Sequence, residues 1–186
     1  MGLLSQLAIG ETGPYVTGVA PKADGTFKLE NVPAGKYRVN VSAAGAWALH
    51  SATAAGRDTL DQGLEIAPGR DAALSVTLTD QPTEISGVLF DQLGRPAPEY
   101  SVVVFTADRA LWTSSPRRNS GVVKLGSDGR YRVTGLPAGE YLLCVLTDVE
   151  PRQLNDPSFL EQLAASGVRI TLADGEKKQQ DLKIGG

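Results

Sequence analysis

One stretch of the sequence occurs twice: residues 24–41 read DGTFKLENVPAGKYRVNV, and residues 128–145 read DGRYRVTGLPAGEYLLCV. The two copies lie 104 residues apart, and seven of their eighteen aligned positions are identical. A second pair follows at a spacing of 106, with LEIAPGRDAALSVTL at 64–78 and ITLADGEKKQQDLKI at 170–184. Repetition at a fixed spacing indicates one structural unit used twice, so the sequence predicts two homologous units of about 105 residues.

The residues shared by the two copies are those that shape a β-strand and its turns. Each copy begins with Asp-Gly, at residues 24–25 or 128–129, which favours a tight hairpin because glycine accepts a positive φ. Each then passes through Pro-Ala-Gly into a strand that opens on Tyr37 or Tyr141. Apolar and polar residues alternate after Tyr37, so both tyrosines are predicted to lie in a core with the hydroxyl near its rim.

The second unit can be read from end to end as an antiparallel β-sandwich, because seven short strand-like runs are separated by turn residues. The turns SDG and ADGE are each predicted to close a hairpin. The predicted strands are Glu84–Asp91, Tyr100–Thr106, Gly121–Leu125, Arg130–Thr134, Glu140–Leu146, Val168–Leu172 and Gln179–Ile184.

The first unit has fewer strands than the second. By the 104-residue spacing, about twenty residues that would carry its first strand and part of the next are missing, so we expect a sandwich truncated at its N-terminus, with Leu3–Ile9 filling part of the gap. The boundary is placed at Thr79–Thr83, which gives domains 1–80 and 81–186. The predicted strands of the first unit are Tyr15–Ala20, Thr26–Glu30, Lys36–Ser42, Leu49–Ala54, Leu64–Ala67 and Ala72–Thr79.

The fold class predicted from these patterns is all-β: two tandem antiparallel Greek-key-type β-sandwiches, the first truncated, with one short helix near 157–165. The helix is predicted because Asp156-Pro157 is a good N-cap and first-turn pair and Gly167 ends the apolar spacing.

The composition argues against several classes of function. The chain of 186 residues has one cysteine and one histidine, which cannot form an internal disulfide or the usual nitrogen and sulfur zinc site. Its net charge of −3 provides no basic surface for nucleic acid, and no apolar run approaches the roughly 20 residues that span a bilayer. The first ten residues, MGLLSQLAIG, lack the pattern of a signal peptide. No cofactor is expected.

The segment GVLFDQLGRPAPEYSVVVF (residues 87–105) and the two DG…PAG.Y segments resemble the carboxypeptidase regulatory-like modules. The resemblance implies a seven-stranded prealbumin-like sandwich, often grouped with carbohydrate-binding-like folds, and it implies no peptidase. Such modules are non-catalytic repeats of large secreted or cell-envelope bacterial proteins. We therefore expect an extracellular or envelope location, and as partners other domains of the same parent protein or another envelope protein.

The segment most suggestive of ligand binding is the long loop DRALWTSSPRRN, residues 108–119, because loops longer than usual often carry function. An exposed indole can stack on a sugar, and arginines can hold carboxylates. The alternative is that the tryptophans pack in a core or a domain interface. The candidate ligand-binding residues are Arg109, Trp112, Arg117 and Arg118, together with Trp47 in the GAWALH stretch.

The two copies differ on their outer faces. Where the first has Arg38 and Asn40, the second has Leu142 and Cys144, so something should cover this apolar face. The predicted helix is the candidate cover, packing on the sheet or against the first domain, and a partner-binding groove is the alternative. Cys144 is interpreted as a small buried residue, with a reactive thiol as the alternative.

Little in the sequence favours catalysis. The only histidine, His50, lies in a strand-like run without the serine and acid of a triad, and the carboxylates stand at turns. A calcium site of Asp148, Glu150 and Asp156 was weighed, but no EF-hand spacing is present. The preferred hypothesis is a non-enzymatic spacer, scaffold or interaction module, with carbohydrate binding through Trp112 or Trp47 second and an enzyme third.

Overall fold

The computed structural model describes residues 4–9, 16–43, 45 and 47–184. The chain divides into two compact units, Met1–Gln81 and Pro82–Gly186. Short strands are the main regular secondary structure of both, which confirms the predicted all-β sandwich class. In the described part of the chain, no helix has the length and apolar character needed to cross a membrane.

The described residues of the first unit form eight strands: β1 Leu4–Ile9, β2 Val16–Val19, β3 Gly35–Tyr37, β4 Val39–Ala43, β5 Ala48–Ala54, β6 Arg57–Asp58, β7 Leu64–Ile66 and β8 Leu74–Thr79. They pair antiparallel in the orders β2-β1-β4, β3-β7 and β6-β5-β8. A buried cluster that includes Tyr37, Val39 and Ala52 forms the core of this unit.

The second unit has eight further strands and one α-helix: β9 Glu84–Phe90, β10 Ser101–Thr106, β11 Asn119–Lys124, β12 Arg130–Thr134, β13 Gly139–Leu146, α1 Pro157–Ala164, β14 Val168–Leu172, β15 Lys177–Gln179 and β16 Leu182–Lys183. One sheet has the order β11-β10-β13-β14. The other has the order β12-β9-β15, with β16 also paired to β9. The helix confirms the one predicted near 157–165.

Burial follows the layers of this sandwich. Along β9, buried and half-buried residues alternate, so Ile85, Gly87 and Leu89 face the core while Ser86 and Val88 between them do not. All six residues of β10 are buried, because its sheet is covered on its outer face as well. A continuous β-branched and aromatic run is what such a doubly covered strand requires.

Both hairpins predicted in the second unit are wrong. The SDG turn leads from β11 in one sheet to β12 in the other, and the ADGE turn leads from β14 to β15 in the same way. The last strands then run parallel to β9, so the sandwich is not wholly antiparallel. Turn residues and period-2 alternation look the same whether the chain folds back on one sheet or crosses to the other, which explains the error.

The first unit departs from prediction at Thr26–Glu30, which is not a strand. Its counterpart in the second unit, β12, pairs with β9. Among the described residues of the first unit, no strand pairs with this segment, and β5, the strand beside β8, pairs on its other side with β6 instead. The Asp24-Gly25 turn itself is present: Gly25 has φ +82°, and Asp24 Oδ1 accepts a hydrogen bond from the Thr26 amide at 2.9 Å.

Residues Leu3–Ile9 were expected to fill part of the gap in the first unit, and β1 does so. Its register places Leu7 opposite Val41 and Ile9 opposite Val39. In the second unit, β10 pairs with β13 through the positions that lie 104 residues after these valines. β1 therefore occupies the place of β10, although only six residues join it to β2, where twelve join β10 to β11.

The repeated tyrosines hold the same position in both units. Tyr37 and Tyr141 are buried, with 2% and 0% of their surface exposed, and each hydroxyl donates a 2.7 Å hydrogen bond to the carbonyl four residues earlier, at Pro33 or Pro137. The predicted core tyrosine with its hydroxyl near the rim is confirmed. The bond joins the start of each strand to the Pro-Ala-Gly turn before it.

Replacing either tyrosine by phenylalanine is expected to lower the free energy of unfolding of its own unit by about 1 kcal/mol, the usual contribution of one such bond. Each unit contains one tryptophan, Trp47 or Trp112, so urea unfolding followed by fluorescence in Trp47→Phe and Trp112→Phe backgrounds reports on the units separately. A loss confined to only one of the two variants would contradict the equivalence of these tyrosines.

Candidate functional site

The outer face of the second unit's four-stranded sheet differs in character from the corresponding face of the first unit. Val103 and Phe105 from β10 and Leu142 and Cys144 from β13 form a second apolar cluster outside the sandwich core. In the first unit the corresponding face presents the half-buried Arg38 and the exposed Asn40.

Two segments cover this apolar face. One is the loop of residues 107–118, which contains the short 3-10 turns Arg109–Leu111 and Pro116–Arg118. The other comprises the 3-10 turn Pro151–Asn155 and helix α1, which place Leu154, Leu160 and Leu163 in the cluster. The prediction that α1 packs on the sheet is confirmed, and the face is covered by the chain itself.

Trp112 closes the cluster from the loop side. Its indole Nε1 donates a 2.8 Å hydrogen bond to the Thr106 carbonyl, and its ring meets Phe105 edge to face at 5.8 Å between centroids. Only 9% of its surface is exposed. The ring therefore lacks the open face that stacking on a sugar requires, and the alternative of core packing describes its position.

The arginines of the loop lie around this tryptophan. The Arg109 guanidinium carbon lies 5.9 Å from the Trp112 ring centroid, and the same side chain pairs with Glu161 on α1. Arg118 Nη1 donates to the Ala138 carbonyl at 3.1 Å and lies 3.5 Å from the Tyr141 hydroxyl. Arg109 thus joins the loop to the helix, and Arg118 joins it to the repeated Pro-Ala-Gly turn.

The five predicted ligand-binding residues do not form one open site. Trp112 and Arg118 line a single crevice with Leu111 and Ser115 that is too narrow to admit a water molecule. Arg117 is half-buried in the second 3-10 turn and is not among the residues of this crevice. Trp47 belongs to the first unit, just before β5, and is 36% exposed. A ligand-binding role for these residues stays a prediction.

Cys144 lies beneath the helix. It is 3% exposed, and its Sγ is 3.3 Å from the Leu163 carbonyl oxygen. Burial raises the pKa of the thiol from 9.0 to about 11, because the thiolate would lose its hydration. The thiol therefore stays protonated at neutral pH, which confirms the interpretation of Cys144 as a small buried residue.

The carboxylates weighed for catalysis or calcium shape the backbone. Asp156 Oδ1 accepts from the Ser158 amide at 2.9 Å and caps α1. Asp91 Oδ1 accepts from the Leu93 and Arg95 amides, and these bonds with the Arg95 side chain lower the pKa of this carboxyl. The described residues hold no group of three or more His, Cys, Asp or Glu side chains placed to bind a metal ion.

Sequence reasoning missed the contacts that fix the loop. Glu161 was not singled out, because its partner Arg109 lies 52 positions away. The bond from Arg118 to Ala138 joins the long loop to the repeated turn 20 positions later, and no local pattern predicts it. Polar contacts between side chains of distant elements produce no periodic pattern in the sequence, so sequence patterns do not predict them.

Comparisons with known proteins give limited similarity. No family model matches the chain, and no curated protein matches it. Among solved structures it resembles the minor pilin GBS52 of Streptococcus agalactiae at 10% identity and a TM-score of 0.38, over 98% of this chain and 83% of that one. It also resembles the major pilin subunit BcpA of Bacillus cereus at 10% identity and a TM-score of 0.36.

A third similar structure is the catechol 1,2-dioxygenase of an Acinetobacter species, at 15% identity and a TM-score of 0.34. Both BcpA and the dioxygenase align with 55% of this chain, which spans only 28% and 52% of their own lengths. Since the TM-scores of all three are below 0.5, these similarities assign the chain to no family and say nothing of its activity.

Proposed function

We propose that this chain is a non-catalytic structural or interaction module, a spacer or scaffold, from a larger modular bacterial cell-envelope or secreted protein. The most direct support comes from the roles of the residues that the two copies share. Asp24 and Asp128 each bond the amide two residues on, and Tyr37 and Tyr141 each bond the carbonyl four residues back. The shared side chains form hydrogen bonds to the backbone, so the feature common to the two copies is a structural one.

The residues specific to the second unit support the same proposal. Trp112 and Cys144, which could have carried binding or redox chemistry, lie in one apolar cluster with Leu160 of α1. Their apolar surfaces are buried within the unit and stabilise it. We assign domains 1–80 and 81–186 as carboxypeptidase regulatory-like sandwiches, in an extracellular or envelope location, with other domains or envelope proteins as partners. This assignment rests on the sequence resemblance.

Carbohydrate binding is the second candidate, and only one observation favours it. Trp47 is the large aromatic side chain that stands out as exposed in the described residues, at 36%. An exposed indole can stack on a sugar face. Trp112 does not share this property, so the hypothesis now depends on Trp47.

A glycan array with the wild-type chain and with Trp47→Ala distinguishes the two functions. The proposed module is expected to give no saturable binding with either protein. Saturable binding by the wild type that disappears in Trp47→Ala would overturn the proposal in favour of a carbohydrate-binding module. Trp47→Phe, which keeps an aromatic ring, is the matched control for any binding observed.

A further inference from the structure

The first and last strands of the second unit lie side by side and run in the same direction. β15 pairs parallel with β9, with Lys177 opposite Glu84 and Gln179 opposite Ser86, and β16 continues the pairing with Leu182 opposite Leu89. The chain thus enters this unit at one end of the strand pair and leaves it at the other end.

Hydrogen bonds join these strands along their whole length. The Glu84 amide donates to the Glu176 carbonyl at 2.9 Å at the beginning of the pair, and the Ile184 amide donates to the Phe90 carbonyl at 2.9 Å at its end. Between these two bonds, the Gln180 amide donates to the Ser86 carbonyl at 2.8 Å. The pairing therefore spans all of β9.

The interruption between β15 and β16 is closed by side chains. Asp181 Oδ1 accepts from the Val88 amide at 2.9 Å, which replaces the missing main-chain partner at this point. The Tyr131 hydroxyl of β12 donates to the Gln180 carbonyl. Gly87 leaves the space that this carbonyl occupies, since a Cβ there would overlap its oxygen. The residues Gln180 and Asp181 between β15 and β16 are thus hydrogen-bonded to both β9 and β12.

This arrangement determines how the unit responds to tension. A pull on the two ends of the unit draws β9 and the β15–β16 segment in opposite directions along their own axes. The bonds between them lie across that direction, so they share the load and must break together. Strands pulled apart from the same end would lose the same bonds one at a time. Forced unfolding is governed by the height of the unfolding barrier, and breaking many bonds at once raises that barrier.

We propose that the second unit is a mechanical link, in which the parallel pairing of β9 with β15 and β16 is a clamp loaded in shear. The proposal rests on the proposed function and adds to it a specific physical role: transmitting tension along a chain of modules. The clamp lies between the N-terminal and the C-terminal end of the unit, so a stretching force applied at these two ends passes through it.

Single-molecule pulling on the full chain tests the clamp in two directions. In the shear arm, one handle is attached at Asp80→Cys and the other at the C-terminus. In the unzipping arm, the first handle moves to Leu93→Cys, just beyond the end of β9, where the native leucine is 77% exposed. Both positions leave the first unit out of the loaded path, and the buried Cys144 thiol, whose pKa is raised to about 11, does not compete for the handle.

The unfolding force in the shear arm is expected to be severalfold higher than in the unzipping arm at the same pulling speed. The extension on unfolding identifies the unit, since at about 3.6 Å per residue the loaded segments correspond to roughly 38 nm and 33 nm of chain. Equal forces in the two arms, or a lower force in shear, would overturn the proposal. Such a result would leave a non-catalytic module that binds no glycan, so it is distinct from a failure on the glycan array.

Asp181 provides a second test of the clamp. Asp181→Ala removes the acceptor of the Val88 amide and is expected to lower the shear force, while Asp181→Asn keeps an acceptor oxygen and is expected to retain most of it. Circular dichroism and thermal unfolding show whether both variants are folded before pulling. A shear force unchanged in folded Asp181→Ala would contradict the assignment of this residue to the clamp.

Discussion

Replacing Gly87 by alanine is expected to lower the free energy of unfolding of the second unit by about 3 kcal/mol, the upper range for an overpacked core position. A Cβ at this position would overlap the Gln180 carbonyl oxygen, lie 2.7 Å from its carbonyl carbon and 3.1 Å from Cε1 of Tyr131. The obstacle is backbone that is hydrogen-bonded to β9, so it cannot move away without breaking the pairing of the terminal strands.

Gly94→Ala is the matched control for this prediction. Gly94 has φ +78° but open space around it, so the variant measures only the conformational strain of alanine in a left-handed position, about 1 kcal/mol. Urea unfolding monitored by Trp112 fluorescence in a Trp47→Phe background gives both values. A Gly87→Ala loss no larger than that of Gly94→Ala would show that the terminal segment is free to shift.

Replacing Trp112 by alanine is expected to cost the second unit about 4 kcal/mol, as for other large aromatic residues removed from a core. The variant loses the edge-to-face contact with Phe105 and leaves the Thr106 carbonyl without its indole donor. It also opens the apolar cluster beneath the loop. Thermal unfolding by circular dichroism measures the loss.

Two other tryptophan variants show whether this cost comes from packing. Trp112→Phe keeps a ring in the cluster but loses the Nε1 bond, and it is expected to cost less than Trp112→Ala. Trp47→Ala, at an exposed position, is expected to change the free energy of unfolding by about 0.5 kcal/mol or less. If Trp112→Ala were as mild as Trp47→Ala, the loop of residues 107–118 would not be holding the cluster closed.

The outer face of the second unit shows which parts of the candidate site could be predicted. The contrast of Leu142 and Cys144 with Arg38 and Asn40 was enough to predict a cover, and the Asp156-Pro157 signal was enough to predict that α1 provides it. Both are local patterns. The sequence does not decide whether Trp112 is exposed or buried, because a loop residue carries no periodicity that shows which way it points.

The sequence by itself determined most of the strands, the repeated turns, the core tyrosines and the short helix, because each depends on residues close together in the chain. Only the tertiary structure decided which sheet each strand joins. The SDG and ADGE turns cross between sheets, and the last strands lie parallel to β9, nearly a hundred residues earlier. Pairing between strands so far apart in the chain depends on non-local contacts, and a local pattern of residues does not predict which strands will meet.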